Sequence, residues 1–230
     1  MKRWIIAAGF CLVLSALSLT STDGHDVITT RITWNRELSR IFNERCISCH
    51  RDGGMTFPLT TYAEARPWAV AIKEEVLARR MPPWGGIKGF GEFRNDQSLT
   101  AEQIEMILAW VEGGVPEGNE KDLPSPPKVA DTSVPETPAG GIAVSGDFAV
   151  LKPFTLDGIW PRTVADRESA RITAEFPDGT VQPLLWLYEY KKQFEHPFLF
   201  RVPIELPAGT TIHGIPSNSS LVLLPLQAAE

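Results

Sequence analysis

Apolar residues recur at helical spacing in three stretches of the first half of the chain and at alternating, strand-like spacing through the second. The first stretch, 35–45, places Leu38, Ile41 and Phe42 on one face, with Asn35 as its expected cap. The second, 62–80, has Thr61 and Glu64 at capping-box spacing and Trp68, Ile72 and Val76 four apart; Pro67 is expected to bend or restart it. In the third, Thr100 and Gln103 form a capping box and Leu99 and Ile104 sit at staple positions. Ile104, Ile107, Leu108 and Val111 then make one stripe, before Gly113, Gly114 and Pro116 end it. Each helix is short and apolar on one face only, so the three are expected to pack together or around something large and flat.

From 116 to 141 the periodicity disappears and prolines punctuate a polar stretch, which reads as a semi-rigid linker. Short β-type runs follow at 143–150, 170–176, 181–190, 198–206, 211–215 and 220–224, with Pro177-Asp178-Gly179 as a turn between two of them. The expected fold class is therefore α + β in two domains: an all-α first domain of about three main helices and a small β-sandwich or barrel. The expected boundaries are 27–118 for the helical domain, 119–141 for the linker and 142–230 for the β domain.

Ahead of these, Lys2 and Arg3 precede an apolar run without charge up to Leu19, followed by small residues. This is the pattern of a signal peptide, taken as 1–22, and implies export to the periplasm or beyond; no stable membrane span is expected after its cleavage. Removing Lys2 and Arg3 takes the formal charge from −6 to −8. An acidic surface argues against nucleic acid and favours a basic partner. Cys11 leaves with the signal, so the mature chain keeps two cysteines, three apart, a spacing that is not a disulfide framework.

Those cysteines belong to Cys46-Ile47-Ser48-Cys49-His50, the Cys-x-x-Cys-His pattern of c-type haem attachment. Two thiols at this spacing can add across the two haem vinyl groups, and the adjacent histidine is then held beneath the iron. The competing readings are a thioredoxin-like redox pair, which wants a βαβ context, and half a zinc site, which wants a second ligand pair; the mature chain offers no further cysteine. Met55, Met81 and Met106 are the candidates for the sixth iron position. Met81 stands out because Pro82-Pro83 forbid further helix and fix an extended turn able to aim a thioether; an open or water-bound iron is the competing reading. Arg79, Arg80 and Trp84 flank it, either as a propionate contact or as a solvated helix end with an aromatic lid.

Residues 32–118 resemble a class I cytochrome c domain, with the attachment motif after the first helix and Ile107-Leu108-Ala109-Trp110-Val111 in the last. More narrowly, Thr61-Tyr62, Ala65-Arg66-Pro67-Trp68, Arg80-Met81-Pro82-Pro83-Trp84, Asn95-Asp96 and Leu108-Ala109-Trp110-Val111 look like the haem domains of bacterial proteins that join a cytochrome c to a copper type II, ascorbate-dependent monooxygenase-like region. The resemblance implies one covalent haem c, bound by Cys46, Cys49, His50 and Met81, with Met81 as distal ligand. Residues 171–220 resemble the end of the monooxygenase-like region through Phe176-Pro177-Asp178-Gly179, Leu184-Leu185-Trp186 and Leu206-Pro207-Ala208-Gly209-Thr210. A copper site of that kind needs several histidines and a methionine, whereas this half holds only His196 and His213 and no methionine.

The expected function is thus single-electron transfer by an exported mono-haem cytochrome that carries electrons to or from a redox protein and is not itself an enzyme. Two alternatives stay open: a haem subunit or remnant of a copper monooxygenase-like oxidoreductase, and a haem-based sensor with an open sixth position.

Overall fold

Thr33, in extended conformation, accepts a hydrogen bond from the Arg36 amide on its side chain and starts a π-helical turn, Trp34–Leu38, which runs into helix α1 (Ser39–Arg45). The computed structural model describes residues 30–127 and 140–227; the signal segment 1–22, Cys11 and most of the expected linker lie outside them. The cap is Thr33 rather than Asn35. The amides of Trp34 and Asn35 instead donate to the carbonyls of Pro116 and Glu117, at 3.0 and 2.9 Å. That pairing brings the start of the first helical run onto the chain just after the last one, and Trp34 packs against Phe42, Tyr62 and Trp110.

The second run opens on the expected capping box of Thr61 and Glu64 as α2 (Tyr62–Ala65). Pro67 has no amide to give, and a 3₁₀ turn (Arg66–Trp68) interrupts the run before α3 (Ala69–Leu77). It ends three residues earlier than expected. The amides of Arg79 and Arg80 turn back to the carbonyls of Val76 and Glu75, with Arg79 at φ 57°. Helix α4 (Ala101–Glu112) has the expected Thr100–Gln103 capping box and buries Ile104, Ile107 and Trp110, while Leu108 and Val111 are half-buried.

The second half is two four-stranded antiparallel sheets. Strands β1 (Ile142–Val144), β8 (Ser220–Pro225), β3 (Phe154–Thr163) and β6 (Phe198–Leu206) form one, in that order. Strands β2 (Phe148–Ala149), β7 (Thr211–His213), β4 (Glu168–Glu175) and β5 (Val181–Tyr190) form the other. Their inner faces share one core that includes Leu156, Ile159, Ile172, Leu185, Phe198, Ile212 and Leu223. The Pro177-Asp178-Gly179 turn forms as expected, with Gly179 at φ 83° and the Asp178 carboxylate accepting from the Thr180 amide.

The expected all-α first domain of about three main helices requires correction. Of the helical segments 34–45, 62–77 and 101–112, the first two are interrupted, and from 78 to 100 the chain contains no helix. Pro82, Pro83 and the glycines at 85, 86, 89 and 91 preclude one, and Gly85, Gly89 and Gly91 all adopt positive φ. This stretch instead joins the β core: Trp84 and Phe93 are buried there with Phe198 and Phe200. Its backbone pairs with both sheets. Gly86 lies opposite Leu187 on β5, and Phe93 lies opposite Phe200 on β6.

Candidate functional site

Helix α1 delivers the chain to Cys46, whose amide closes the last turn on the Phe42 carbonyl at 2.9 Å. The amides of Cys49 and His50 then both turn back to the Cys46 carbonyl, at 3.2 and 3.0 Å, so the two thiols and the imidazole share a single turn. Cys46 packs against the helical core. Burial pushes its thiol up to about 12; the neighbouring Cys49 adds to the rise and Arg45 opposes it. A redox pair of the thioredoxin type needs the opposite, a thiol lowered to supply thiolate at neutral pH.

The loop after His50 folds back over it. The Leu59 amide donates to the His50 carbonyl at 3.1 Å, and the Thr56 amide to that of Cys49 at 3.4 Å. Gly54 is required for this return, because a Cβ there would lie 2.4 Å from the Cys49 carbonyl oxygen. The loop presents the Phe57 carbonyl 3.0 Å from His50 Nδ1. With Nδ1 carrying the proton toward that carbonyl, Nε2 is the nitrogen with the free lone pair, the arrangement of a metal-ligating histidine. Burial lowers the His50 pKa, opposed by the Phe57 carbonyl, and this favours the neutral imidazole that ligation requires.

Phe57 meets His50 edge-on at 5.0 Å and stacks on Trp68 at 4.6 Å. Phe57, Trp68 and Met55 remain 42, 46 and 65% exposed. Cys49 Sγ lies 3.9 Å from Met55 Sδ. Large apolar side chains therefore stand open to solvent beside the Cys-x-x-Cys-His turn, where a flat apolar group could cover them. Among the described residues no group of three or more His, Cys, Asp or Glu side chains is placed to hold a metal ion unaided. A haem asks for less than that, since the porphyrin supplies four donors and the chain only the axial ones. The residues present thus fit a haem c, which Cys46 and Cys49 would tether and His50 Nε2 would ligate.

Met81 lies apart from this turn in sequence, and no hydrogen bond joins the two among the described residues. It is half-buried beyond the end of α3, with its amide donating to the Glu75 carbonyl at 3.3 Å. Met106 is half-buried against the helical core. Arg80 forms a two-pronged pair with Glu75, both contacts at 2.8 Å. Trp84 lies in the β core. Trp68 is the exposed ring stacked on Phe57.

The Cys-x-x-Cys-His motif does not itself say which carbonyl faces His50 Nδ1. The signal was Phe57-Pro58, since a residue before proline is held extended. In the β half His196 Nδ1 faces the Phe194 carbonyl at 2.8 Å and its ring stacks on Trp84 at 4.7 Å. His213 instead faces Asp147 and Glu175 at the surface, at 2.9 and 3.4 Å. No helix among the described residues is long and apolar enough to cross a membrane. No family model, curated protein or solved structure matches this chain, so the reading of the site rests on its own residues and their geometry.

Proposed function

We propose that the protein is an exported mono-haem c-type cytochrome that transfers single electrons, with iron ligated by His50 and Met81. The observation that carries this reading is the Cys46–His50 turn with His50 Nδ1 fixed on the Phe57 carbonyl. In tethering, each thiol would add across a vinyl C=C, sulfur to one carbon and hydrogen to the other, with nothing leaving. Cys46 and Cys49 then keep the group in place without a deep pocket. The Phe57 carbonyl orients His50, and the Phe57 ring packs edge-on against it. When bound, the haem supplies a reversible one-electron change at iron. Met81, binding the iron in place of a second histidine, would favour the reduced state. An acidic chain suits a basic redox partner met through charge steering.

The test is maturation of the whole chain in cells that possess the haem-attachment machinery. Haem should remain on the denatured polypeptide of the wild type and be lost from Cys46→Ser, Cys49→Ser double variants. The ferric wild type should show the weak near-infrared thioether-to-iron band, and Met81→Ala should lack it. Wild-type protein that releases all its haem on denaturation would sink the cytochrome reading. A band that survives Met81→Ala would sink the ligand assignment alone.

A further inference from the structure

The strip 84–95 lies across the open side of the sandwich, between the edge strands of its two sheets. On β5 the Ile87 amide donates to the Trp186 carbonyl and the Tyr188 amide to that of Gly85, each at 2.9 Å. On β6 the Arg94 amide donates to the Leu199 carbonyl at 2.9 Å and the Arg201 amide to that of Glu92 at 2.8 Å. Asn95 extends the pairing through its side chain, donating to the Pro197 carbonyl and accepting from the Leu199 amide. Gly86 has no room for a side chain, since a Cβ there would meet Phe198 at 2.8 Å.

Trp84 anchors the start of this strip. It is 5% exposed, stacks on His196 at 4.7 Å and meets Phe198 and Phe93 edge-on at 4.7 and 5.9 Å. Only Pro82 and Pro83 separate it from Met81, and both have a fixed φ and no amide. The Trp84 amide closes on the Pro82 carbonyl at 2.8 Å, so the link is a short, stiff turn. From the other side, the end of α3 holds Met81 through the Glu75 carbonyl. At the far end of the strip, the Asp96 carbonyl accepts from Arg45, next to Cys46, at 2.5 Å. Both segments that carry iron ligands in the proposed reading are thus fastened to the same piece of β core.

We propose that the β half serves as the positioning scaffold for Met81, with Trp84 the positioning residue through which it acts. This rests on the reading of Met81 as the distal ligand. A turn anchored only in α3 would be free to swing at Met81; packing Trp84 against the touching rings of His196 and Phe198 gives it a second anchor in the β core.

The experiment uses the whole haem-loaded ferric protein and follows the near-infrared thioether band and far-ultraviolet dichroism together through a urea titration. In Trp84→Leu and His196→Ala the band should weaken in buffer and vanish while the dichroism still reports folded protein. In Ile212→Ala, a core change on β7 and separated from β5 by β4, band and dichroism should fall together. Should Trp84→Leu fail to fold, His196→Ala decides, since it leaves the tryptophan in place. If the wild type has the band, Met81→Ala loses it, and the folded Trp84 and His196 variants lose it only on global unfolding, the scaffold proposal is overturned and the ligand reading stands. If the wild type lacks the band or Met81→Ala keeps it, the ligand reading falls and takes the scaffold with it.

Discussion

His196 and His213 both lie in the β half, yet burial and charge move them in opposite directions. Burial lowers the pKa of His196, against the Phe194 carbonyl, while the Asp147 hydrogen bond and the nearby Glu175 raise that of His213. For His196 the unfolded chain binds more protons between its folded pKa and about 6.5, so its share of stability falls as pH drops through that window. For His213 the share is fully present below about 6.5 and disappears as pH rises through its raised folded pKa. His213 is open to solvent, so its contribution is also screened by salt. We predict that His196→Phe flattens the acid side of the stability profile between about pH 5 and 8, and that His213→Gln flattens the alkaline side at low salt. Urea midpoints across that range would check this, and two variants with the wild-type slope on both sides would refute it. Neither direction was legible in the sequence, because each depends on what the fold places around the ring. The Cys46–His50 turn was legible, since its donors are adjacent in the chain.

At the scale of elements, local signals read well where the responsible residues are neighbours and failed where contact across the fold decides. Both capping boxes, at Thr61 and Thr100, form because hydroxyl, amide and carboxyl or amide partners lie three residues apart. The cap of the first helical run was misplaced to Asn35 because its amide is satisfied by Glu117, far along the chain. Strand β3 was missed altogether. Its sequence carries Asp157, Gly158 and Pro161, which read as breaks, yet it is an inner strand between β8 and β6. The register shifts after Leu156 on both sides and after Pro161 on the β8 side, absorbing what those residues disrupt. Gly158 is there because β6 passes too close for anything larger: a Cβ would sit 2.6 Å from the Phe198 carbonyl oxygen. Gly158→Ala should therefore cost on the order of 1–3 kcal/mol, read as a lowered urea midpoint. An unchanged midpoint would mean that β3 and β6 can separate freely there, which their pairing on both sides of Gly158 opposes.

For the whole molecule, the strip 84–95 makes the β half depend on residues that precede it by many positions in the chain. Strands β5 and β6 are the outer strands of their sheets on this side, and the strip occupies hydrogen-bonding groups on both. It also contributes Trp84 and Phe93 to the core, side chains whose burial stabilises by roughly 1.5–3 kcal/mol each. A fragment of residues 140–230 lacks all of this. We predict that it unfolds at lower urea than the full chain and self-associates through its exposed edges. A peptide of residues 81–97, added in trans, should raise its urea midpoint and suppress association, whereas the same peptide with Trp84→Ala and Phe93→Ala should do neither. A monomeric fragment as stable as the full chain would show that the strip merely rests on the sandwich. Because the strip's two ends lead directly to Met81 and, through Asp96, to Arg45 beside Cys46, rescue by the peptide would also mean that the β half draws stability from the segment that joins those two points.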